Sequence, residues 1–102
     1  MLWEDKKQMR TVCKFSFKKS IKRKWIETHI MWAIFNAECI FGKPKVRTGF
    51  SYYVSDDKPQ CVFDISTDVG EHIARLFTGM MIKELGETGF EVKRIDRDDL
   101  RK

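Results

Sequence analysis

Hydrophobic and polar residues alternate near the start of the chain, from residue 11 to residue 18. One side of this segment is apolar and the other is polar or charged: Cys13, Phe15 and Phe17 against Lys14, Ser16 and Lys18. A period of two residues is typical of a strand with one buried face. The pattern therefore predicts a first strand over residues 11–18, with its three apolar side chains in the core.

A long segment without glycine or proline follows, from Ser20 to about Phe41, and it ends at Gly42 and Pro44. Its apolar residues recur at helical spacing, which favours an amphipathic helix that packs on a sheet. The residues of this stripe are Ile26, Ile30, Ala33, Ala37 and Ile40, with Ile34 and Phe41 at its edge. We expect a first helix over about residues 20–41.

Two further segments alternate, one from Val46 to Val54 and one from Cys61 to Ile65. The residues between them, 55–59, are polar and end in a proline, which is typical of a turn. Two alternating segments joined by a short polar turn predict a β-hairpin. We therefore expect a second strand over residues 46–54 and a third over residues 61–65.

A second helical pattern begins at Asp68, which is followed three residues later by Glu71 in a capping-box-like arrangement. The apolar positions that follow are helically spaced: Val69, Ile73, Leu76, Phe77 and Met80. This helix should end near Leu85, before Gly86. Residues 90–95 then predict a last strand.

The predicted order of elements is β-α-β-β-α-β, which resembles the ferredoxin-like arrangement in topology. The resemblance implies an α+β sandwich, with a four-stranded antiparallel sheet and two helices on one face. A chain of 102 residues has room for one such domain. We therefore expect a single domain over residues 1–102 with a core at about 10–95, a charged N-terminal arm at 1–9 and a charged C-terminal tail at 96–102.

Location and metal chemistry follow from the residues near the N-terminus and from the cysteines. The first seven residues carry acids where an export signal needs an apolar segment, which favours a cytoplasmic protein. The longest run without a charge covers ten residues, 28–37, about half of a membrane span, so no membrane partner is expected. The three cysteines, Cys13, Cys39 and Cys61, lack the close spacing of metal or redox sites. We expect no metal and no cofactor.

The sequence carries no recognisable catalytic pattern. Neither His29 nor His72 has a nearby Ser or Cys whose spacing marks a catalytic base. The outward residues of the predicted central strands offer no aromatic platform for stacking RNA bases. We therefore expect a protein that is not an enzyme, and we keep a small phosphate-ester or small-molecule enzyme as a third alternative.

The charge is concentrated in one part of the chain. The net charge of +5 combines a first half with twelve bases and four acids and a second half with eight bases and eleven acids. The start of the first helix is flanked by cations, where the helix dipole favours acids, and such a site suits an anion. The predicted anion or nucleic-acid site is Lys14, Lys18, Lys19, Lys22, Arg23 and Lys24. Alternatively, the turn at Asp56 and Asp57 neutralises these side chains, or they form a solvated basic face.

Both helices carry more apolar residues than one buried stripe needs. Exposed Trp, Met and Phe side chains on helices are typical of protein interfaces. The predicted interface residues are Trp25, Met31, Trp32, Phe35, Met81 and Ile82. The alternative is that a loop or the arm at residues 2–3 covers them.

Together these features predict a small binding module that is not an enzyme and that associates with itself as a homodimer. Its basic helix start would hold an anionic partner, and a nucleic-acid backbone fits that charge best. The second hypothesis is a protein–protein interaction or regulatory domain that uses the Trp, Met and Phe side chains of the helix surfaces. In that case the lysines serve solubility only.

Overall fold

Four strands and three helices make up the part of the chain that the computed structural model describes, residues 11–18 and 20–96. In chain order they are β1 (Thr11–Phe17), α1 (Arg23–Phe41), α2 (Lys43–Gly49), β2 (Tyr52–Val54), β3 (Gln60–Asp64), α3 (Asp68–Leu85) and β4 (Phe90–Asp96). The predicted arm at residues 1–9 lies outside the described residues, as does the predicted tail beyond Asp96, which is the last residue of β4.

The strands form one antiparallel sheet in the order β2-β3-β1-β4. In β1, Phe15 lies opposite Cys61 of β3 on one side and opposite Val92 of β4 on the other. Because successive residues of a strand point to opposite faces, Lys14 points away from the core that Phe15 enters. The prediction of an α+β domain with a four-stranded antiparallel sheet is therefore confirmed.

The expected ferredoxin-like layout with two helices is wrong, because the order of elements is β-α-α-β-β-α-β and there are three helices. Residues 43–49 form α2, which includes residues 46–49, predicted as the start of the second strand. Gly42 leaves α1 with a φ of 89°, and Pro44 lies in the first turn of α2. Proline has a φ suited to a helix start, and the apolar pair Val46 and Phe50 has helical as well as strand spacing. The second strand is therefore only three residues long.

The starts of the two long helices differ in detail from the prediction, although α3 begins at Asp68 as expected. α1 starts at Arg23, three residues later than expected, with Lys22 as its N-cap and no side-chain capping bond. The N-cap of α3 is Thr67, one residue before the predicted Asp68. The Thr67 hydroxyl accepts a hydrogen bond from the Gly70 N–H at 3.0 Å and donates one to the Gly49 carbonyl at 2.5 Å. Thr67 thereby joins the start of α3 to the end of α2.

The core is centred on three phenylalanine rings, Phe15 of β1, Phe63 of β3 and Phe77 of α3. Their centroids are 5.2, 4.9 and 5.0 Å apart in edge-on or tilted arrangements, which are favourable for aromatic pairs. Both long helices contribute buried side chains to this core: Ile26, Ile30, Ala33 and Ala37 from α1, and Ile73, Ala74, Phe77 and Met81 from α3. The helices therefore lie on the face of the sheet that Phe15 occupies.

Candidate functional site

Helix α1 has an apolar face that points away from the core. At 100° per residue, Thr28 and Phe35 project about 170° from the centre of the buried stripe, and Met31 and Trp32 flank them on either side. Exposed fractions are 65% for Met31, 57% for Trp32 and 59% for Phe35. We call Thr28, Met31, Trp32 and Phe35 the outer face of α1.

The outer face of α1 forms a shallow apolar groove of about 550 Å³. Its one polar side chain is turned back to the helix, since the Thr28 hydroxyl donates to the Lys24 carbonyl at 2.8 Å, and beside the face the Asn36 amide donates one hydrogen bond to the Trp32 carbonyl at 2.8 Å. Because three of its four side chains are apolar, the surface offers mainly apolar contacts. A contiguous exposed patch of large apolar side chains is typical of an interaction site.

Two opposite charges lie near the ends of this face. Lys24 precedes Thr28 by one turn, and Glu38 follows Phe35 by three residues. Neither side chain forms an ion pair with another residue in the described part of the chain. A cation therefore lies beside the groove towards the start of α1, and an anion lies beside it towards the end, where Glu38 also lines a separate hollow with Arg47 of α2.

The other predicted interface residues do not join this face. The prediction for Met81 is wrong, because Met81 lies on the inner side of α3 and is fully buried in the core. Trp25 is half-buried against the core, and its ring lies 4.0 Å from that of His29, whose Nδ1 donates to the Trp25 carbonyl at 2.9 Å. Ile82, on α3, is 42% exposed. Only Met31, Trp32 and Phe35 of the predicted set form one exposed surface on α1.

The predicted anion site is divided between two parts of the fold. Lys14 lies in the middle of β1, on the outer face of the sheet, where its register partners are Val62 and Lys93. Lys22, Arg23 and Lys24 lie at the start of α1 instead. Lys18 follows the last residue of β1, and its Nζ lies 4.0 Å from the carboxylate of Glu91 in β4. The remaining member, Lys19, lies outside the described residues.

Arg23 is the member with the clearest partners. Its guanidinium lies 3.0 Å from the Glu27 carboxylate and also pairs with Asp56 in the turn between β2 and β3. The cleft at this point, about 270 Å³, is lined by the start of α1 and by residues 55–59 of that turn. It brings together Lys22, Arg23 and Lys58 with Asp56 and Asp57, so acids offset most of its positive charge.

The cysteines and histidines form no metal-binding cluster among the residues described. In residues 11–18 and 20–96, no group of three His, Cys, Asp or Glu side chains is placed to hold a metal ion. Burial raises the pKa of the Cys13 thiol and that of the Cys61 thiol, which keeps both protonated and unreactive. His72 packs edge-on against Phe41 at 5.3 Å.

Comparison with protein-family models, with curated proteins and with solved structures finds no match to this chain. No helix in the described part of the chain is long and apolar enough to cross a membrane. Sequence reasoning identified the three large side chains of the outer face of α1 but assigned Lys24 to an anion site and missed Glu38. Lys24 and Glu38 lie on the same side of the helix, and a helical wheel of the sequence could have shown this.

Proposed function

We propose that the protein is a protein-interaction domain, not an enzyme, and that the outer face of α1 docks a helix of another protein chain. The observation that supports this is the exposure of Met31, Trp32 and Phe35, each more than half exposed on the side of α1 opposite the core. Folding the described domain leaves this apolar surface in water. Covering it with a partner would remove that unfavourable exposure.

A helix suits this surface better than an extended peptide does. Phe35 follows Trp32 by three residues, Met31 by four and Thr28 by seven, the spacing at which one helix packs on another. The outer face has few polar groups to bond an extended backbone, because Thr28 is its one polar side chain and the Thr28 hydroxyl already donates to the Lys24 carbonyl. Trp32 and Phe35 would supply the large central contacts that dominate such interfaces.

Site-specific photocrosslinking in the cells that naturally produce the protein tests the proposal. A photoreactive benzoylphenylalanine replaces Trp32 in one variant and Ile40 in a control. Ile40 is a matched control because it is 64% exposed on the same helix but lies about 130° away from the centre of the outer face. We expect one discrete crosslinked product from position 32 and none from position 40. Equal products from both positions, or none from either, would overturn the proposal.

A second candidate function is the binding of an anionic chain, with a nucleic-acid backbone as the best fit. It is favoured by Lys22 and Lys24, two exposed cations at a helix start whose first turn carries no acid. Replacement of both by Gln should flatten the salt dependence of binding to a single-stranded oligonucleotide, while Lys43→Gln, in α2, should not. Absence of binding at low salt would exclude this function.

A further inference from the structure

We infer that the helix docked on the outer face of α1 is α1 of a second copy of this chain, packed antiparallel. The inference rests on the proposed function, because it names the partner of the same surface. It comes from the two charges that lie beside the groove, Lys24 and Glu38. Both lie on the flank of the outer face that carries Met31, within about 40° of that residue around the helix.

The spacing of these charges makes the surface complementary to itself. Lys24 and Glu38 are fourteen residues apart, about 21 Å along the helix, and Met31 lies midway between them. A two-fold axis beside Met31 would therefore place Lys24 of one copy opposite Glu38 of the other. The symmetry repeats the pair, because a two-fold interface uses the same patch on both subunits. Neither residue has an ion-pair partner among the described residues of its own chain.

A parallel arrangement of the two helices lacks this match. In a parallel pair, the flank that carries Lys24 and Glu38 faces the opposite flank of the second helix, as in a parallel coiled coil. That opposite flank carries Trp25, Trp32 and Asn36, which have no charge. The charges therefore select the antiparallel orientation, in which residues of the same flank meet.

The apolar area indicates a reversible dimer. At the exposures given above, Met31, Trp32 and Phe35 offer roughly 350 Å² per copy, taking up to about 250 Å² for a whole aromatic side chain. Two copies would bury roughly 700 Å² through these residues, and Lys24 and Glu38 would add to this. Stable interfaces bury about 1,200–2,000 Å² in total, so the area buried through these residues lies below that range. We expect a dissociation constant in the micromolar range.

Sedimentation equilibrium of the full chain from about 5 to 500 µM tests the inference. Lys24→Glu and Glu38→Lys should each weaken the dimer about fivefold or more, because each places like charges opposite one another. The double variant should restore the affinity. Lys43→Glu makes the same change of charge on α2 and should leave the affinity unchanged. Trp32→Ala with Phe35→Ala should abolish the dimer, while Ile40→Ala should not.

The outcomes separate this inference from the proposed function. A chain that stays monomeric at all these concentrations, or a dimer whose affinity the charge reversals do not change, would overturn the antiparallel pair. If the photocrosslink at position 32 then joins a different protein, the proposed function stands and the partner is not a second copy. If position 32 gives no product, both fail. A product of twice the chain mass, together with restoration by the double variant, supports both.

Discussion

Two glycines of α3, Gly70 and Gly79, should respond in opposite directions to replacement by alanine. An added Cβ at Gly70 would overlap the Asp64 carbonyl oxygen and would lie 3.1 Å from the Ile65 Cα. These are backbone atoms at the end of β3, held by the hydrogen bond from the Ile65 N–H to the Thr11 carbonyl at 3.0 Å. At Gly79 an added Cβ would meet nothing within 4 Å. The same substitution therefore tests close packing at one position and helix propensity at the other.

The magnitudes follow from these two environments. Alanine is favoured over glycine in a helix by up to about 1 kcal/mol, and Gly79→Ala should gain most of this. At Gly70 the clash with a fixed backbone should cost about 3 kcal/mol, the upper part of the range for overpacking. After the gain in propensity, Gly70→Ala should be about 2 kcal/mol less stable than the natural chain. At about 4–8 °C per kcal/mol for a domain of this size, its Tm should fall by roughly 8–16 °C.

Urea unfolding followed by far-ultraviolet circular dichroism measures both free energies. The m-value should be the same for the natural chain and the two variants, because the surface exposed on unfolding hardly changes. Gly79→Ala is the matched control, since it introduces the same side chain into the same helix. If Gly70→Ala is as stable as Gly79→Ala, then α3 does not approach β3 as closely as the structure has it, and the reasoning is refuted.

Three further predictions concern the cap of α3 and the cysteines. Thr67→Val should lower the free energy of unfolding by about 1–2 kcal/mol through loss of the cap, while Thr48→Val, at an exposed helical site, should change it by less than about 0.5 kcal/mol in urea titrations. The pKa values of Cys13 and Cys61 are raised in the folded chain, so above the thiol pKa of the unfolded chain, about 8.5, the unfolded chain ionises first. The free energy of unfolding should therefore decline as pH rises from 8 to 9.5. In urea titrations, Cys13→Ala with Cys61→Ala should reduce that slope. Under native conditions Cys39, which is exposed, should be the one described thiol that a disulfide reagent labels rapidly, and labelling of two or three thiols at one rate would contradict the buried positions of the others.

Local periodicity predicted most of the elements but not α2. β1, α3 and β4 were found to within a residue or so, because each has one clear period and a distinct stop. Residues 46–50 are different, since Val46 and Phe50 satisfy a period of two and a helical spacing of four at once. The outcome depends on Gly42 and Pro44, which turn the chain and start a new helix immediately after α1. The prediction treated those two residues only as the end of a helix.

The buried side of α3 was also predicted too narrowly. Helical spacing predicts Met80 on the core stripe and Met81 outside it, whereas Met81 is fully buried and Met80 is only partly buried. α3 packs against the sheet and against α1, so its buried arc is wider than a single stripe against one surface. A helical wheel shows which residues share a side, but it does not show how many neighbours the helix has.

The two local irregularities of α1 have different physical explanations in the folded chain. Arg23 lies at the start of the helix, where a cation is unfavourable. It forms ion pairs with Asp56 and Glu27, so acids within the fold neutralise its charge. No comparable contact within the described domain accounts for Trp32 and Phe35, which lie on the side of α1 that the core does not reach. Contacts within the fold account for Arg23, whereas they do not account for the exposed aromatic surface between Lys24 and Glu38. This difference is why the interaction surface, rather than the basic helix start, is the stronger candidate for function.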